Sequence, residues 1–205
     1  MDNGSRTAAW IRDMYDQLSL TYGDSPSALG WYSRFTQIQR FWALTYSIHW
    51  DGQSVLDIGC GQGDLVGLMS QQGYKSTYTG IDLSSEMIRI AKKKYPQARF
   101  VIGDGLDFSC QERADIVLSS GILSHKWDDP EAYVKMAIQS MLDKSNDIVA
   151  FNVLSAKIPE TEKDTHAFTY YSPPDILSWA LDFSKNVEVR HHYLPNDMTV
   201  VLYKK

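Results

Sequence analysis

Val55-Leu56-Asp57-Ile58-Gly59-Cys60-Gly61-Gln62-Gly63-Asp64-Leu65 decides the reading of this chain. An apolar run ends in glycines at alternate positions, and an apolar-periodic segment follows. The pattern predicts a buried strand, a tight turn and a helix N-terminus. Glycines let a backbone approach a ligand where a side chain would collide. The unpaired N–H groups of the new helix then face polar or anionic ligand atoms. A nucleotide-like cofactor is expected near residue 60.

The spacing argues against a dinucleotide, whose fingerprint is G-x-G-x-x-G with a third glycine for close helix–strand packing. Here Asp64 and Leu65 follow Gly63, and Asp57 stands two residues before the first glycine. A nicotinamide oxidoreductase is therefore disfavoured. Residues 55–63 instead resemble motif I of the class I S-adenosylmethionine-dependent methyltransferases, V-L-D-x-G-C-G-x-G.

Two more segments lie where that family needs them. Thr77-Tyr78-Thr79-Gly80-Ile81-Asp82-Leu83-Ser84 reads as a second strand ending in an acid. An acid at that tip accepts hydrogen bonds from both ribose hydroxyls of a nucleoside. Phe100-Val101-Ile102-Gly103-Asp104-Gly105 reads as a third strand. In the family an acid there faces the adenine amino group, and Asp104 is the matching residue.

The remaining pattern alternates strands and helices. Strands are expected near 54–59, 76–83, 98–103, 114–120 and 147–154, and helices near 63–72, 84–95 and 130–142. Ser84 is a candidate N-cap, with Met87, Ile88 and Ala91 at helical spacing behind it. A helix is expected from Asp175 to about Phe183, after Pro173-Pro174. Strands Val187–Tyr193 and Met198–Lys204 follow, with Pro195-Asn196-Asp197 as the turn between them. His191 and His192 would then point to opposite faces of a strand. The expectation is an α/β, Rossmann-like, seven-stranded and mostly parallel sheet with a C-terminal antiparallel hairpin. Residues 51–205 form the methyltransferase domain in this reading, and 1–50 an N-terminal helical lid folded with it. The lid is rich in aromatics: Trp10, Tyr15, Tyr22, Trp31, Tyr32, Phe35, Phe41, Trp42, Tyr46 and Trp50.

Composition agrees with one domain that has a sizeable core: 205 residues, 43% of them hydrophobic. The net charge of −5 and the absence of a basic face disfavour a nucleic-acid partner. Lys92-Lys93-Lys94 suits the end of a helix, where cations meet the negative pole. Cys60 and Cys110 make no metal spacing, and no metal is expected. No membrane-spanning or signal-peptide pattern is present, so the expected location is cytoplasmic and no membrane partner is expected. A monomer or homodimer is expected.

The resemblance implies S-adenosylmethionine as cofactor and S-adenosylhomocysteine as product. It assigns cofactor binding to Arg40, Asp57, Gly59, Cys60, Gly61, Asp82, Leu83, Met87, Gly103, Asp104, Gly105, Ser120 and Gly121. Arg40 would take the cofactor carboxylate, as an arginine on this helix does in relatives, with Arg34 the competing candidate. A bidentate guanidinium suits that role. The loop after the fourth strand, Ile122-Leu123-Ser124-His125-Lys126-Trp127, puts His125 near the methyl group, as a candidate base or a packing residue. The polar stretch from Ser155 to Pro174 follows the fifth strand at the ligand end, and loops of that length tend to be functional. Substrate contacts are assigned to Tyr22, Tyr32, His125, Asn152, His166, Tyr170 and Tyr171. The sequence lacks the Asn/Asp-Pro-Pro-Tyr/Phe motif of amino-adenine enzymes and the Pro-Cys nucleophile of cytosine-C5 enzymes. The expected reaction is methyl transfer to a small-molecule acceptor at oxygen. Transfer to nitrogen, and a non-catalytic relative that kept the fold, are the alternatives.

Overall fold

The structure, a computed structural model, describes residues 3–30 and 33–204. Seven strands form one sheet in the order β3-β2-β1-β4-β5-β7-β6. They are β1 (Ser54–Ile58), β2 (Thr77–Asp82), β3 (Arg99–Ile102), β4 (Ala114–Ser120), β5 (Ser145–Leu154), β6 (Asn186–Arg190) and β7 (Asp197–Tyr203). The first five are parallel, and β7 runs antiparallel between β5 and β6.

Alternation along the strands sorts side chains to two cores. Leu56, Ile58 and Val117 join one cluster, with residues of α5 (Pro130–Lys144) and α6 (Pro173–Leu181). Val55, Ile116 and Leu118 join the other, with residues of α2 (Arg34–Thr45), α3 (Asp64–Gln71) and α4 (Ser85–Lys94). α1 (Asn3–Tyr22) packs on α4.

Local chemistry sets the helix starts. Ser84 caps α4 by accepting from the Met87 N–H at 3.1 Å, as expected. Asp129 does the same for α5, with Pro130 in its first turn. α6 begins at Pro173, two residues earlier than expected, because proline's fixed φ suits the first helical position. Strand β6 ends at Arg190, so His191 and His192 lie in the turn and not on opposite strand faces. The His191 Nε2 meets the Ser155 hydroxyl at 2.6 Å.

Helix α2 is part of the core and not a loose cover. Phe41 and Leu44, with Ile48 and Trp50 beyond its end, pack with Val55, Leu65 and Phe100. Strand order reverses between β1 and β4, and in such sheets the crevice opens beyond the carboxyl ends of those strands. Among the described residues, no helix is long and apolar enough to cross a membrane.

Candidate functional site

The turn after β1 holds Gly59, Gly61 and Gly63 at φ values of 75°, 53° and 76°, the left-handed region that glycine adopts without steric cost. A Cβ on Gly59 would lie 2.3 Å from Ile122, and one on Gly61 2.4 Å from Leu29. The Gly59 and Cys60 N–H groups donate to the Ile81 carbonyl at 2.8 and 3.0 Å. Asp82, at the tip of β2, completes the turn. Its Oδ2 accepts from the Gly61 N–H at 2.8 Å and its Oδ1 from the Ser84 N–H at 2.9 Å. A carboxylate oxygen takes two hydrogen bonds, so Asp82 can still receive a pair of ligand hydroxyls. Burial pushes its carboxyl above the usual range, against the two backbone donors.

Two cavities of about 280 and 680 Å³ open here, and Tyr15, Gly59, Asp82 and Ile122 line both. The larger lies beyond β2 and β3, against Leu83, Gly103, Asp104, Gly105 and His125. Trp127 and Tyr133, stacked at 3.6 Å between centroids, form part of its wall. The smaller lies beyond β1, β4 and β5, against Arg40, Asp57, Cys60, Gly61, Met87, Ser120, Gly121, Asn152 and Tyr170.

Several charged groups meet the smaller cavity. Asp57 is buried and accepts from the Tyr78 hydroxyl at 2.5 Å, while its Oδ1 has no partner. Burial pushes its carboxyl up to about 7, against the Tyr78 bond and helped by the charge of Asp82. The Arg40 Nε donates to Asp197 Oδ2 at 2.5 Å, and both side chains are buried. Asp197 also accepts from the Tyr193 hydroxyl, and its carboxyl sits above the usual range because burial outweighs Arg40. Asp64 accepts from Lys94 and Gln37 and pairs with Arg34. Burial works to raise its carboxyl, but these partners, Lys94 foremost, hold it below the usual range. Asn152 Oδ1 accepts from the Gly121 N–H at 2.9 Å, which joins the tips of β4 and β5.

Tyr15 of α1 stands where the cavities meet. Its hydroxyl lies 3.4 Å from His125 Nε2, and the Phe168 ring stacks on the imidazole at 6.0 Å. Burial pushes the His125 imidazole down to about 4, so it is neutral near pH 7. The same burial, with the charge of Asp82, raises the Tyr15 hydroxyl. The Ser155–Pro174 stretch is ordered against this corner. Phe168 bridges His125, and the Thr169 N–H donates to the Ser124 carbonyl at 2.8 Å.

Three residues assigned to the substrate lie outside the lining of both cavities. Tyr22 lies exposed at the end of α1 and lines neither cavity. His166 is exposed in its loop and also lines neither. Tyr171 is buried, donates its hydroxyl to the Leu123 carbonyl at 2.8 Å and packs edge-on against Trp179, so it ties the loop to the core. Tyr32, like Trp31, lies outside the described residues. Arg34 lines neither cavity, while Arg40 lines the smaller one and Arg12 of α1 the larger. Sequence reasoning missed Tyr15, Gln37, Phe168 and Asp197 as lining residues. Tyr15 was one aromatic among ten, and Asp197 read as part of a turn.

The donor set fits a nucleoside joined to a charged tail: a carboxylate for two hydroxyls, a second for an amino group, and a buried arginine and carboxylates at the far end. Known proteins agree. A family model described as a methyltransferase domain matches residues 55–144. Rv1506c of Mycobacterium tuberculosis, named as a methyltransferase, is 30% identical over 164 residues, covering 75% of this chain and 95% of that one. Demethylmenaquinone methyltransferase of Chlorobaculum tepidum is 29% identical over 133 residues, 61% of this chain and only 52% of the relative. Magnesium protoporphyrin IX methyltransferase of Synechocystis PCC 6803, solved with bound SAH, superposes with a TM-score of 0.70 at 14% identity, covering 96% of this chain and 99% of that one. With the glycine turn, the two strand-tip acids and these relatives in one frame, the chain belongs to the class I S-adenosylmethionine-dependent methyltransferases.

Proposed function

We propose that the protein methylates a small molecule at oxygen, with the acceptor held in the smaller cavity beyond the glycine turn. The observation that supports a small acceptor is the size and lining of that cavity. It continues from Gly59 and Gly61 past Asn152 to Leu154, Phe168 and Tyr170, within about 280 Å³. Apolar side chains of Leu29, Phe41, Ile122, Leu154 and Phe168 beside polar groups such as Asn152 and Tyr170 suit a small acceptor.

In this reading Asp82 holds the ribose and Asp104 the adenine edge, while Arg40 faces the cofactor carboxylate. When bound, S-adenosylmethionine supplies a methyl group already activated on a sulfonium. The chain's own task is alignment and water exclusion. α1 covers the crevice through Tyr15. His125, neutral at pH 7, meets the Tyr15 hydroxyl through Nε2 and holds the phenol oxygen at the junction of the two cavities. There the phenol oxygen orients an acceptor hydroxyl. An imidazole held near 4 is a weak base, so alignment contributes more than proton removal. The reading includes a cytoplasmic location, which the unpaired Cys60 and Cys110 suit.

A second reading, N-methylation, draws on the carboxylates at the smaller cavity: Asp57, Asp64, Asp82, Asp164 and Asp197. They would favour an amine acceptor, whose methylated product is a cation. The test is incubation with methyl-labelled S-adenosylmethionine and panels of small phenols, alcohols and amines, with products identified by mass. Oxygen-methylated product supports the proposal, and amine-only product transfers it to the second reading. Tight S-adenosylhomocysteine binding with no product in any panel would point to a non-catalytic relative.

A further inference from the structure

The C-terminal hairpin reaches the smaller cavity with Asn196 and Asp197, and nothing in motif I or in the acids of β2 and β3 anticipates this. Asp197 opens β7, 157 residues after Arg40, and the two form an ion pair on the wall of the smaller cavity. Side-chain exposure is 8% for Arg40 and 2% for Asp197, so water screens the pair little. Both Asp197 oxygens are engaged inside the protein: Oδ2 by the Arg40 Nε, and Oδ1 by the Tyr193 hydroxyl, which also meets the Thr199 hydroxyl at 2.8 Å. Each Asp197 oxygen thus has a protein partner on its own side, and the carboxylate is held in one plane. What it can do is fix the plane of a guanidinium, whose fork is useful only when its orientation is set.

We propose that Asp197 is a positioning residue that orients Arg40 toward the amino-acid end of the cofactor. The inference rests on the reading of the glycine turn as the seat of S-adenosylmethionine. It adds that affinity for the tail, and not for the nucleoside, is set from the last hairpin of the sheet. Burying an ion pair is costly, and this one lies on the cavity wall, where it can act on a ligand as well as fasten α2 to β7.

The test separates the two ends of the ligand. 5′-Methylthioadenosine keeps the nucleoside and thioether of S-adenosylhomocysteine but lacks the amino-acid end. Calorimetric titrations of both ligands are run on the wild type, Asp197→Asn and Arg40→Lys. Asp197→Asn keeps the shape and removes the charge. The Kd for S-adenosylhomocysteine should rise about tenfold or more in each variant, the loss expected of a charge-assisted hydrogen bond. The Kd for 5′-methylthioadenosine should stay within about twofold of wild type, which also reports an intact fold. Equal weakening of both ligands would mean that the pair only holds α2 on β7. No change for either ligand in Asp197→Asn would overturn the proposal whatever Arg40→Lys does. If Asp197→Asn does not fold, Tyr193→Phe loosens the same carboxylate by one bond and should show a smaller loss confined to S-adenosylhomocysteine; its absence would count against the proposal. Failure of the wild type to bind S-adenosylhomocysteine would instead remove the reading on which the inference rests.

Discussion

The nucleoside side of the crevice and the tail-and-acceptor side are built in different ways. On the nucleoside side the polar groups come from consecutive strand tips: Asp82 at the end of β2 and Asp104 just beyond β3, beside the glycine turn that follows β1. Their positions follow from strand length and turn geometry, so changing one breaks backbone as well as ligand contacts. On the other side, Tyr15, Arg40, Asn152, Phe168 and Asp197 come from α1, α2, β5, a loop and β7. These groups meet only in the folded chain. The first side can be fixed across a family while the second varies, which is how one fold serves many acceptors.

The sharpest way to break that contrast is at the glycine turn. Gly61→Val puts a branched side chain at a φ of 53° and forces Leu29 aside. S-adenosylhomocysteine affinity should fall by about a hundredfold or more, given strain of roughly 1–3 kcal/mol plus the lost approach of the backbone. Calorimetry on a variant shown to be folded checks this. Near-normal affinity would mean that the turn does not seat the cofactor.

Asp82→Ala should come next. It removes a carboxylate with an expected 1.5–3 kcal/mol per ligand hydrogen bond (about tenfold or more in Kd). Because the same oxygens hold the Gly61 and Ser84 N–H groups, the variant should also melt earlier. A variant that binds normally and only melts early would make Asp82 structural.

Tyr15→Phe probes the other side. It should lower turnover about tenfold once an acceptor is in hand, while S-adenosylhomocysteine affinity stays within about twofold. A loss of affinity without loss of turnover at saturation would place Tyr15 with the nucleoside side.

The smallest effect is on pH dependence. Burial lowers the folded-state pKa of His125 from 6.5 to about 4. Its contribution to stability is therefore complete above the unfolded value and is lost as pH falls from about 6.5 toward 4. The same value predicts no His125 titration in the rate between pH 6 and 8. Comparing wild type with His125→Ala in acid-range melting and in rate profiles checks both. A wild-type rate rising through pH 6.5 would restore His125 as a base near its ordinary pKa.

What could be read from the sequence follows the same division. Strand β4 matches its expected limits, and the other strands and the helices α3–α6 stop within a few residues of theirs. Periodicity, N-caps and glycines are local signals, written within a turn or two of the element that they define. Ser84 is the clear case: its capping of α4 was legible four residues either way. Arg40 and Asp197 carry no such signal, since nothing near either residue encodes a partner 157 positions away. Tyr170 and Tyr171 show the limit most plainly. They are adjacent and chemically identical, yet one lines the cavity and the other is buried behind it. Which is which depends on the bridge that Tyr171 makes with Ser155, a tertiary contact.

The central claim is that the two cavities are one cofactor site with two separately built ends. A crystal structure of the S-adenosylhomocysteine complex tests it most directly. The account predicts the ribose on Asp82, the adenine beside Asp104 in the larger cavity, and the amino-acid end on Arg40 in the smaller one. A ligand confined to the larger cavity, with Arg40 still held by Asp197 and out of its reach, would contradict it.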